Sequence, residues 1–170
     1  MKRNALGVIS AILLASTGIV AGLALPAVSH AAAEHRHEAH EHGDAPVAPQ
    51  LNAGRKWETD AALRTAMGAI RTSMAAALHD IHEKRLPPAG YATLARKVES
   101  EVGEIVANCK LEPKADAQLH LVVADLLAGA EQMAAKGKPA EHRKGAVKVI
   151  GALEQYGAYF NDPGFKPIAH

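Results

Sequence analysis

The feature that most constrains the fold is an apolar residue at every third or fourth position, maintained through four segments of the chain. This spacing places the apolar side chains on one face of an α-helix, where they can be buried. The four stripes are Leu63, Met67, Ile70, Met74, Ala77 and Ile81; Tyr91, Leu94, Val98, Val102, Ile105 and Cys109; Ala115, Leu119, Val122, Leu126, Ala130 and Met133; and Ala146, Val149, Ile150, Leu153, Gly157 and Phe160. The sequence therefore predicts four amphipathic helices.

Residues that begin or end helices separate these four segments. We expect Thr59 to cap the first helix, because its hydroxyl can accept a hydrogen bond from the first turn. Proline lacks an N–H and suits the first helical position, which favours helix starts at Pro113 and Pro139. The expected helices cover about residues 59–84, residues 91–109, residue 113 to the glycine at 137, and residue 139 to the turn at 161–164.

The connections between these helices are short, which predicts that helices adjacent in sequence are antiparallel neighbours. The expected fold class is all-α, an antiparallel up-down-up-down four-helix bundle formed by residues 51–170. The composition agrees with this class. Aromatic residues make up 4% of the chain, and alanine, the residue with the highest helix propensity, is abundant.

Residues 1–33 have the pattern of a cleavable secretory signal peptide. Lys2 and Arg3 precede an uncharged apolar stretch, and small residues then suit a cleavage site between Ala31 and Glu34. An N-terminal membrane anchor is the alternative, because the apolar stretch approaches the ~20 residues that span a bilayer. The small residues and the polar segment after them favour cleavage. We therefore expect a periplasmic protein with no stable membrane anchor after cleavage.

Residues 34–50, which we call the His-rich segment, hold histidines, acidic residues and prolines but almost nothing that a core could bury. Such a composition predicts disorder. Its imidazoles belong to His35, His37, His40 and His42. A flexible chain can fold these rings around Cu²⁺, Ni²⁺ or Zn²⁺, since neutral imidazole suits all three ions. The alternative is a solvated linker that binds no physiological metal.

A second set of candidate metal ligands is predicted where three helix ends meet. His142 and Met133 fall on apolar faces, and His82 lies on the flank of the first helix. An up-down order brings all three to the same end of the bundle. Two imidazoles and a thioether suit copper, particularly Cu(I). The alternative is that Met133 fills the core and the histidines border it.

The opposite end contains a third candidate, Cys109 with His120. Asp116 precedes His120 by one helical turn, so its carboxylate can orient the ring as carboxylates do behind metal-binding histidines. These residues suggest a metal or redox site, and the alternative is a buried thiol that acts as a small apolar group. We do not expect an activated nucleophile, because a helix C-terminus disfavours a thiolate.

Charge and motifs argue against several functions. Lys and Arg total 19 and Asp and Glu total 18, so the chain lacks the basic surface that nucleic-acid binding requires, and we expect no nucleic-acid partner. With Cys109 as its one cysteine, the chain forms no internal disulfide. Hydrolase, metalloprotease, P-loop and dinucleotide-binding fingerprints are absent from the sequence. We therefore do not expect an enzyme.

Residues 56–64 and 108–120 resemble exported proteobacterial four-helix proteins that carry a DnrO-like label. Over residues 51–164 the plan is also similar to that of class II cytochromes c, which are periplasmic four-helix bundles with haem attached near the C-terminus. The resemblance implies a periplasmic four-helix bundle. Those cytochromes carry C-x-x-C-H on the last helix, and the last helix here has no cysteine. We therefore expect no covalent haem.

These features together predict a periplasmic metal-binding or metal-buffering protein, with copper favoured over zinc or nickel. The His-rich segment would capture the ion, and the bundle would hold or present it. The alternative is a non-catalytic interaction or scaffold bundle without a physiological metal. Such a bundle would meet a periplasmic protein through exposed groups such as Trp57, Tyr159 or the His-rich segment.

Overall fold

The computed structural model describes residues 48–169. This range contains four helices, α1 (Ala61–His82), α2 (Pro88–Asn108), α3 (Pro113–Ala134) and α4 (Pro139–Tyr159), and two short strands, β1 (Trp57–Glu58) and β2 (Phe160–Asn161). The predicted all-α class is confirmed. The predicted signal peptide and residues 34–47 of the His-rich segment lie outside the described residues.

Two of the predicted helix starts are wrong, and both errors have a local cause. The N-cap of α1 is Asp60, whose Oδ1 accepts a hydrogen bond from the Leu63 N–H at 2.8 Å. The Thr59 hydroxyl instead donates to the Asn161 carbonyl at 2.7 Å. Helix α2 begins at Pro88, before the predicted start at Tyr91. Proline suits the first turn of a helix, so α2 begins at Pro88, with Pro87 as its N-cap.

The four predicted apolar stripes form the core of the domain. All stripe residues are buried except Ala77, Cys109 and Gly157, which are half-buried. Burying a large aliphatic or aromatic side chain contributes about 1.5–3 kcal/mol. Packing of the stripes is therefore the main source of the domain's stability. Among the helices between residues 48 and 169, none is long and apolar enough to cross a membrane.

Contacts between helix ends show which ends lie together. His142, near the start of α4, contacts Met133 at the end of α3, and it stacks on Tyr91 at the start of α2. Lys110, just after α2, contacts Asp60, just before α1. We call the end with the α1–α2 and α3–α4 loops the hairpin end. The end with β1, β2 and the α2–α3 loop is the terminal end.

Helices α3 and α4 approach closely where two glycines face each other. A Cβ atom added to Gly145 would lie 2.6 Å from the Gly129 carbonyl oxygen and 2.7 Å from the Met133 backbone nitrogen. A Cβ added to Gly129 would lie 2.7 Å from Val149. These distances are too short for real atoms, so the approach of the two backbones requires glycine at both positions.

The strands β1 and β2 form a parallel pair that the sequence analysis does not predict. Trp57 pairs with Phe160, and Glu58 pairs with Asn161. A strand of two residues is too short to show the alternation by which strands are recognised. The pairing joins the segment before α1 to the segment after α4.

Packing at the terminal end begins before residue 51. Pro49 is buried, and the Gln50 N–H donates to the Gln118 side chain at 2.7 Å. The Gln50 carbonyl accepts a hydrogen bond from the Trp57 indole N–H at 2.6 Å. Residues at the end of the His-rich segment therefore belong to the packed domain.

Candidate functional site

At the hairpin end, the structure brings together two of the predicted ligands, His142 and Met133. The His142 Nδ1 atom lies 2.9 Å from the Met133 carbonyl oxygen. Because a carbonyl only accepts, Nδ1 carries the proton in this bond, and in the neutral ring Nε2 is left as the acceptor. Met133 makes this contact through its backbone, and its side chain is fully buried.

The His142 ring is also held by packing. Only 5% of the residue is exposed, and its ring stacks on Tyr91 with the centroids 5.7 Å apart. Burial raises the pKa of the Tyr91 hydroxyl above its ordinary value, and the charge of Arg143 opposes that rise. His142 therefore connects α4 to both α2 and α3. One hydrogen bond and one stacked ring are enough to explain a buried histidine as a structural residue.

The third predicted ligand at this end, His82, is exposed in the last turn of α1. A metal-binding histidine usually donates its second N–H to a carbonyl or carboxylate, and His142 has such a bond. Residues 48–169, however, contain no group of three or more His, Cys, Asp or Glu side chains that could hold a metal ion. The copper site of His82, Met133 and His142 therefore stays a prediction. Of these residues, His142 has the hydrogen bond that is typical of a metal-binding histidine.

At the terminal end, Cys109 meets Asp60, a contact that the sequence does not indicate. The Asp60 Oδ2 atom accepts a hydrogen bond from the Lys110 N–H at 2.6 Å, and Oδ1 caps α1 through Leu63. Burial alone would raise the pKa of Asp60, but the bonds from Lys110 and Leu63 outweigh it and hold the pKa below its ordinary value. The carboxylate is therefore charged at neutral pH and ties the α2–α3 loop to the start of α1.

The same carboxylate acts on the Cys109 thiol. Burial, followed by the charge and hydrogen bond of Asp60, raises the pKa of Cys109 to about 12. A thiol needs a lowered pKa to be a nucleophile or a ready metal ligand at neutral pH. The half-buried Cys109 is therefore held in its protonated form. A raised pKa is also what the position of Cys109 at a helix C-terminus predicts, although here the causes are burial and Asp60.

His120 lines the same pocket as Cys109, and its ring contacts Asp116, although the hydrogen bond goes to the backbone carbonyl and not to the predicted carboxylate. The His120 Nδ1 atom lies 2.8 Å from the Asp116 carbonyl oxygen and 3.4 Å from the carboxylate oxygen Oδ2. The backbone is thus the closer partner. Cys109 and His120 both line a pocket of about 160 Å³ between α2 and α3. The structure brings the pair to one pocket, in which the thiol is protonated and 72% of the imidazole side chain is exposed.

The largest predicted cluster of imidazoles falls outside the part of the chain that the structure describes. It consists of His35, His37, His40 and His42. Metal binding by these residues stays a prediction from their spacing.

Two groups expected to be exposed are not. Trp57 is only 6% exposed and donates its indole N–H to the Gln50 carbonyl. Tyr159 is partly buried and packs against the core. Both aromatic rings stabilise the terminal end, because β1 and β2 bring the two flanking segments together there. They are not free to meet a partner.

The residue that sequence reasoning undervalued is Asp60. An aspartate just before an apolar stripe is a signal for an N-cap, and it could have been preferred to Thr59. Its bond to Lys110 spans 50 positions of the sequence. Local sequence carries no signal for a contact between residues so far apart.

No model of a known protein family, no curated protein and no solved structure matches this chain. The resemblance to exported four-helix proteins with a DnrO-like label stays a prediction. The function is therefore argued from the residues themselves.

Proposed function

We propose that this protein is an exported, periplasmic metal-binding or metal-buffering protein, with copper as the favoured ion. The observation that carries the proposal is the spacing of the His-rich segment, which places four imidazoles within eight residues, from His35 to His42. Four imidazoles are enough to complete the coordination of one Zn²⁺ or Cu²⁺ ion. In this proposal the signal peptide delivers the segment to the periplasm.

The four-helix domain is proposed as the carrier of this segment. Its own candidates are less suited to metal, because residues 48–169 contain no group of three or more His, Cys, Asp or Glu side chains that could hold an ion, and His142 is buried against Tyr91. The Cys109 thiol is protonated at neutral pH, whereas a thiolate is the form that binds metal. Polar contacts of Gln50 with Gln118 and Trp57 support a fixed attachment for the segment.

Copper is favoured for two physical reasons. Divalent first-row ions bind nitrogen and oxygen ligands with an affinity that peaks at Cu²⁺. Zn²⁺ can be selected over Cu²⁺ only by a site that imposes a tetrahedral geometry, and a flexible segment cannot impose one. Binding should weaken below about pH 6, because histidines protonate near ~6.5 and a protonated imidazole does not bind metal.

The test is a titration of Cu²⁺ and Zn²⁺ into the mature protein and into a variant in which His35, His37, His40 and His42 are all glutamine. We expect native binding of Cu²⁺ with a Kd below about 1 μM and weaker binding of Zn²⁺. The variant should lose at least about a hundredfold in affinity, since its imidazole ligands are gone. The pH dependence near pH 6 should disappear with them.

The matched control keeps the histidines and neutralises the negative charges of the same segment. In it Glu34, Glu38, Glu41 and Asp44 become the corresponding amides. We expect its affinity to change by less than about tenfold, because carboxylates are weaker ligands than imidazole for these ions. Equal binding by the native protein and the histidine variant would refute the proposed site. Undetectable binding by the native protein would refute the proposed function.

The competing function is a non-catalytic interaction or scaffold bundle with no physiological metal. The exposed Val106 favours it, because 78% of this apolar residue is accessible. Val106 also borders the pocket that Cys109 and His120 line. Ile105, Leu119 and Val123 line the same pocket, and a contiguous apolar patch is a feature of interaction surfaces. A metal titration without saturable binding would leave this function as the better one.

A further inference from the structure

A cleft of about 750 Å³ lies between α1 and the segment that follows β2. One wall is the exposed face of α1, from Arg64 to Thr72, and the other includes Asp162 to Lys166. Clefts that hold small molecules have volumes of about 300–1,000 Å³. The cleft is therefore large enough for a small organic ligand, and none of the candidate metal ligands among residues 48–169 lines it.

Three cationic side chains line this cleft: Arg64, Arg71 and Lys166. Arg64 and Arg71 are seven residues apart, which is two helical turns, so both project from the same face of α1. Lys166 comes from the opposite wall. Among the described residues, none of the three forms an ion pair with a carboxylate. The positive charges of the cleft are therefore not neutralised by direct pairing.

Both guanidinium groups are held in place by backbone carbonyls. The Arg71 Nε–H donates to the Lys166 carbonyl, and neither terminal NH₂ group of Arg71 has an acceptor among residues 48–169. The Arg64 Nη1 atom donates to the Thr59 carbonyl at 2.6 Å and to the Thr59 hydroxyl at 3.1 Å. A guanidinium fork fixed in this way loses little entropy when it binds a carboxylate or phosphate with two hydrogen bonds.

The carboxylates in the cleft already accept hydrogen bonds from neutral donors. Asp162 accepts from the Tyr156 hydroxyl at 2.9 Å and from the Gly164 N–H at 3.0 Å. Both oxygens of Glu58 accept from the Asn161 amide at 3.1 Å. These acids are oriented by the turn and the strand pair, and neither is within ion-pair distance of the arginines. An anion that binds in the cleft would therefore contact cationic side chains that are not already paired with a carboxylate.

An aromatic ring completes the cleft. Phe165 packs edge-on against Tyr156, with the centroids 5.0 Å apart, and its ring lies over Gly157, where an added Cβ would be 3.2 Å away. The ring is partly exposed. A fixed apolar surface beside cationic groups suits an organic anion better than an inorganic one.

We propose that this cleft binds a small organic anion, with its carboxylate or phosphate group held by Arg64, Arg71 and Lys166 and its apolar part placed against Phe165. The proposal is independent of metal binding, because it uses none of the histidines. Binding would also join α1 to the segment after β2, which the Arg71–Lys166 contact already connects.

The test is a calorimetric or NMR titration of the full mature protein with benzoate and phenyl phosphate as probes. Benzamide is the neutral control, and inorganic phosphate is the control without an apolar part. We expect saturable binding of both organic anions with a Kd of about 1 mM or tighter. Binding of benzamide and inorganic phosphate should be at least about tenfold weaker, a difference of ~1.4 kcal/mol.

Two variants locate the site. Arg71→Lys keeps the charge but removes the two-pronged donor, and we expect at least a roughly tenfold loss of affinity. Lys166→Gln removes an ammonium group that forms no hydrogen bond or ion pair with the described residues. We expect affinity for the organic anions to fall about threefold or more. The matched control is Lys144→Gln, since Lys144 pairs with Glu141 at the hairpin end; it should bind like the native protein.

Three results would overturn the proposal. The first is the absence of saturable binding of benzoate and phenyl phosphate to the native protein. The second is equal binding of benzamide, which would show that charge is not recognised. The third is unchanged affinity in Lys166→Gln and Arg71→Lys, with native helical content in circular dichroism.

Discussion

The two ends of the helical domain are held together in different ways. At the terminal end, polar side chains connect segments that are far apart in sequence, such as Thr59 with Asn161 and Asp60 with Lys110. At the hairpin end, α3 and α4 meet through backbone contact between Gly129 and Gly145. Polar contacts between distant segments thus distinguish the terminal end, whereas close backbone packing of two helices distinguishes the hairpin end, where His142 adds one hydrogen bond to Met133.

This difference follows from the path of the chain. At the hairpin end, each pair of helices is joined by a short loop, so the helices stay together without added links. At the terminal end, the segments before α1 and after α4 are separated by the whole domain, and the strand pair Trp57–Phe160 and Glu58–Asn161 connects them. Specific contacts are needed there to offset the entropy of closing a long loop.

The largest effect is expected at the hairpin end from Gly145→Ala. Its Cβ would come within 2.7 Å of backbone atoms of α3, and the two helices would have to separate. We expect a loss of about 3 kcal/mol in the free energy of unfolding, the upper range for overpacking. Urea unfolding followed by circular dichroism measures it.

The matched control is Gly151→Ala in the same helix, where an added Cβ meets no atom within 4 Å. Alanine has the higher helix propensity, so this change should stabilise the domain by about 0.5–1 kcal/mol. Equal effects of the two substitutions would show that the backbone approach of α3 and α4 does not hold the hairpin end.

The next largest effect is expected at the terminal end from Asp60→Ala. The substitution removes the cap of α1 and leaves the Lys110 N–H without its acceptor. We expect a loss of about 2 kcal/mol, the upper range for an N-cap. Thermal and urea unfolding should agree on this value. A loss no larger than that of Thr59→Ala would contradict the central place of Asp60.

A smaller effect is expected from His142→Phe. Phenylalanine retains an aromatic ring against Tyr91 but leaves the Met133 carbonyl without its donor. We expect a loss of about 1 kcal/mol in unfolding free energy. The variant should bind Cu²⁺ and Zn²⁺ like the native protein. Weaker metal binding by the folded variant would restore the prediction of a copper site at His82, Met133 and His142.

The smallest effect is expected from Asp60→Asn, and it depends on pH. The folded pKa of Asp60 lies below its ordinary value of 3.8. The charged carboxylate therefore contributes stability that is complete above the unfolded pKa and is lost as the pH falls through the lower folded pKa. Asparagine is a good N-cap at all pH values, but its NH₂ group cannot accept the Lys110 N–H bond, so the variant also loses that bond to the same extent at every pH. The variant should show a flatter loss of stability below about pH 4, and an unchanged acid profile would contradict the contribution of Asp60.

The extent to which the sequence predicted this molecule depends on the range of each interaction. The stripes and the starts at Pro113 and Pro139 were predicted correctly, because each depends on residues within a few turns of one helix. The strand pair, the Asp60–Lys110 bond and the cationic cleft were not predicted. They join residues that local sequence does not relate, as in the bond from Thr59 to Asn161, which spans 102 positions.

Burial was predicted less well where a side chain lies outside the stripes. Trp57 was expected to be exposed, but β1 places it against the core. Cys109 was expected to be buried with its apolar stripe. It is only half-buried, because α2 ends one residue earlier, at Asn108. In both cases the end of a helix, rather than the apolar pattern, determines the environment of the side chain.

The most direct test of metal binding by the His-rich segment is an NMR titration of the histidine rings in the mature protein with Zn²⁺ and Cu(I), which are both diamagnetic. We predict that the ring signals of His35, His37, His40 and His42 shift with metal. Those of His82, His120 and His142 should stay unchanged. Shifts confined to His82 and His142, with the signals of the His-rich segment unmoved, would contradict the proposal and place the metal in the helical domain.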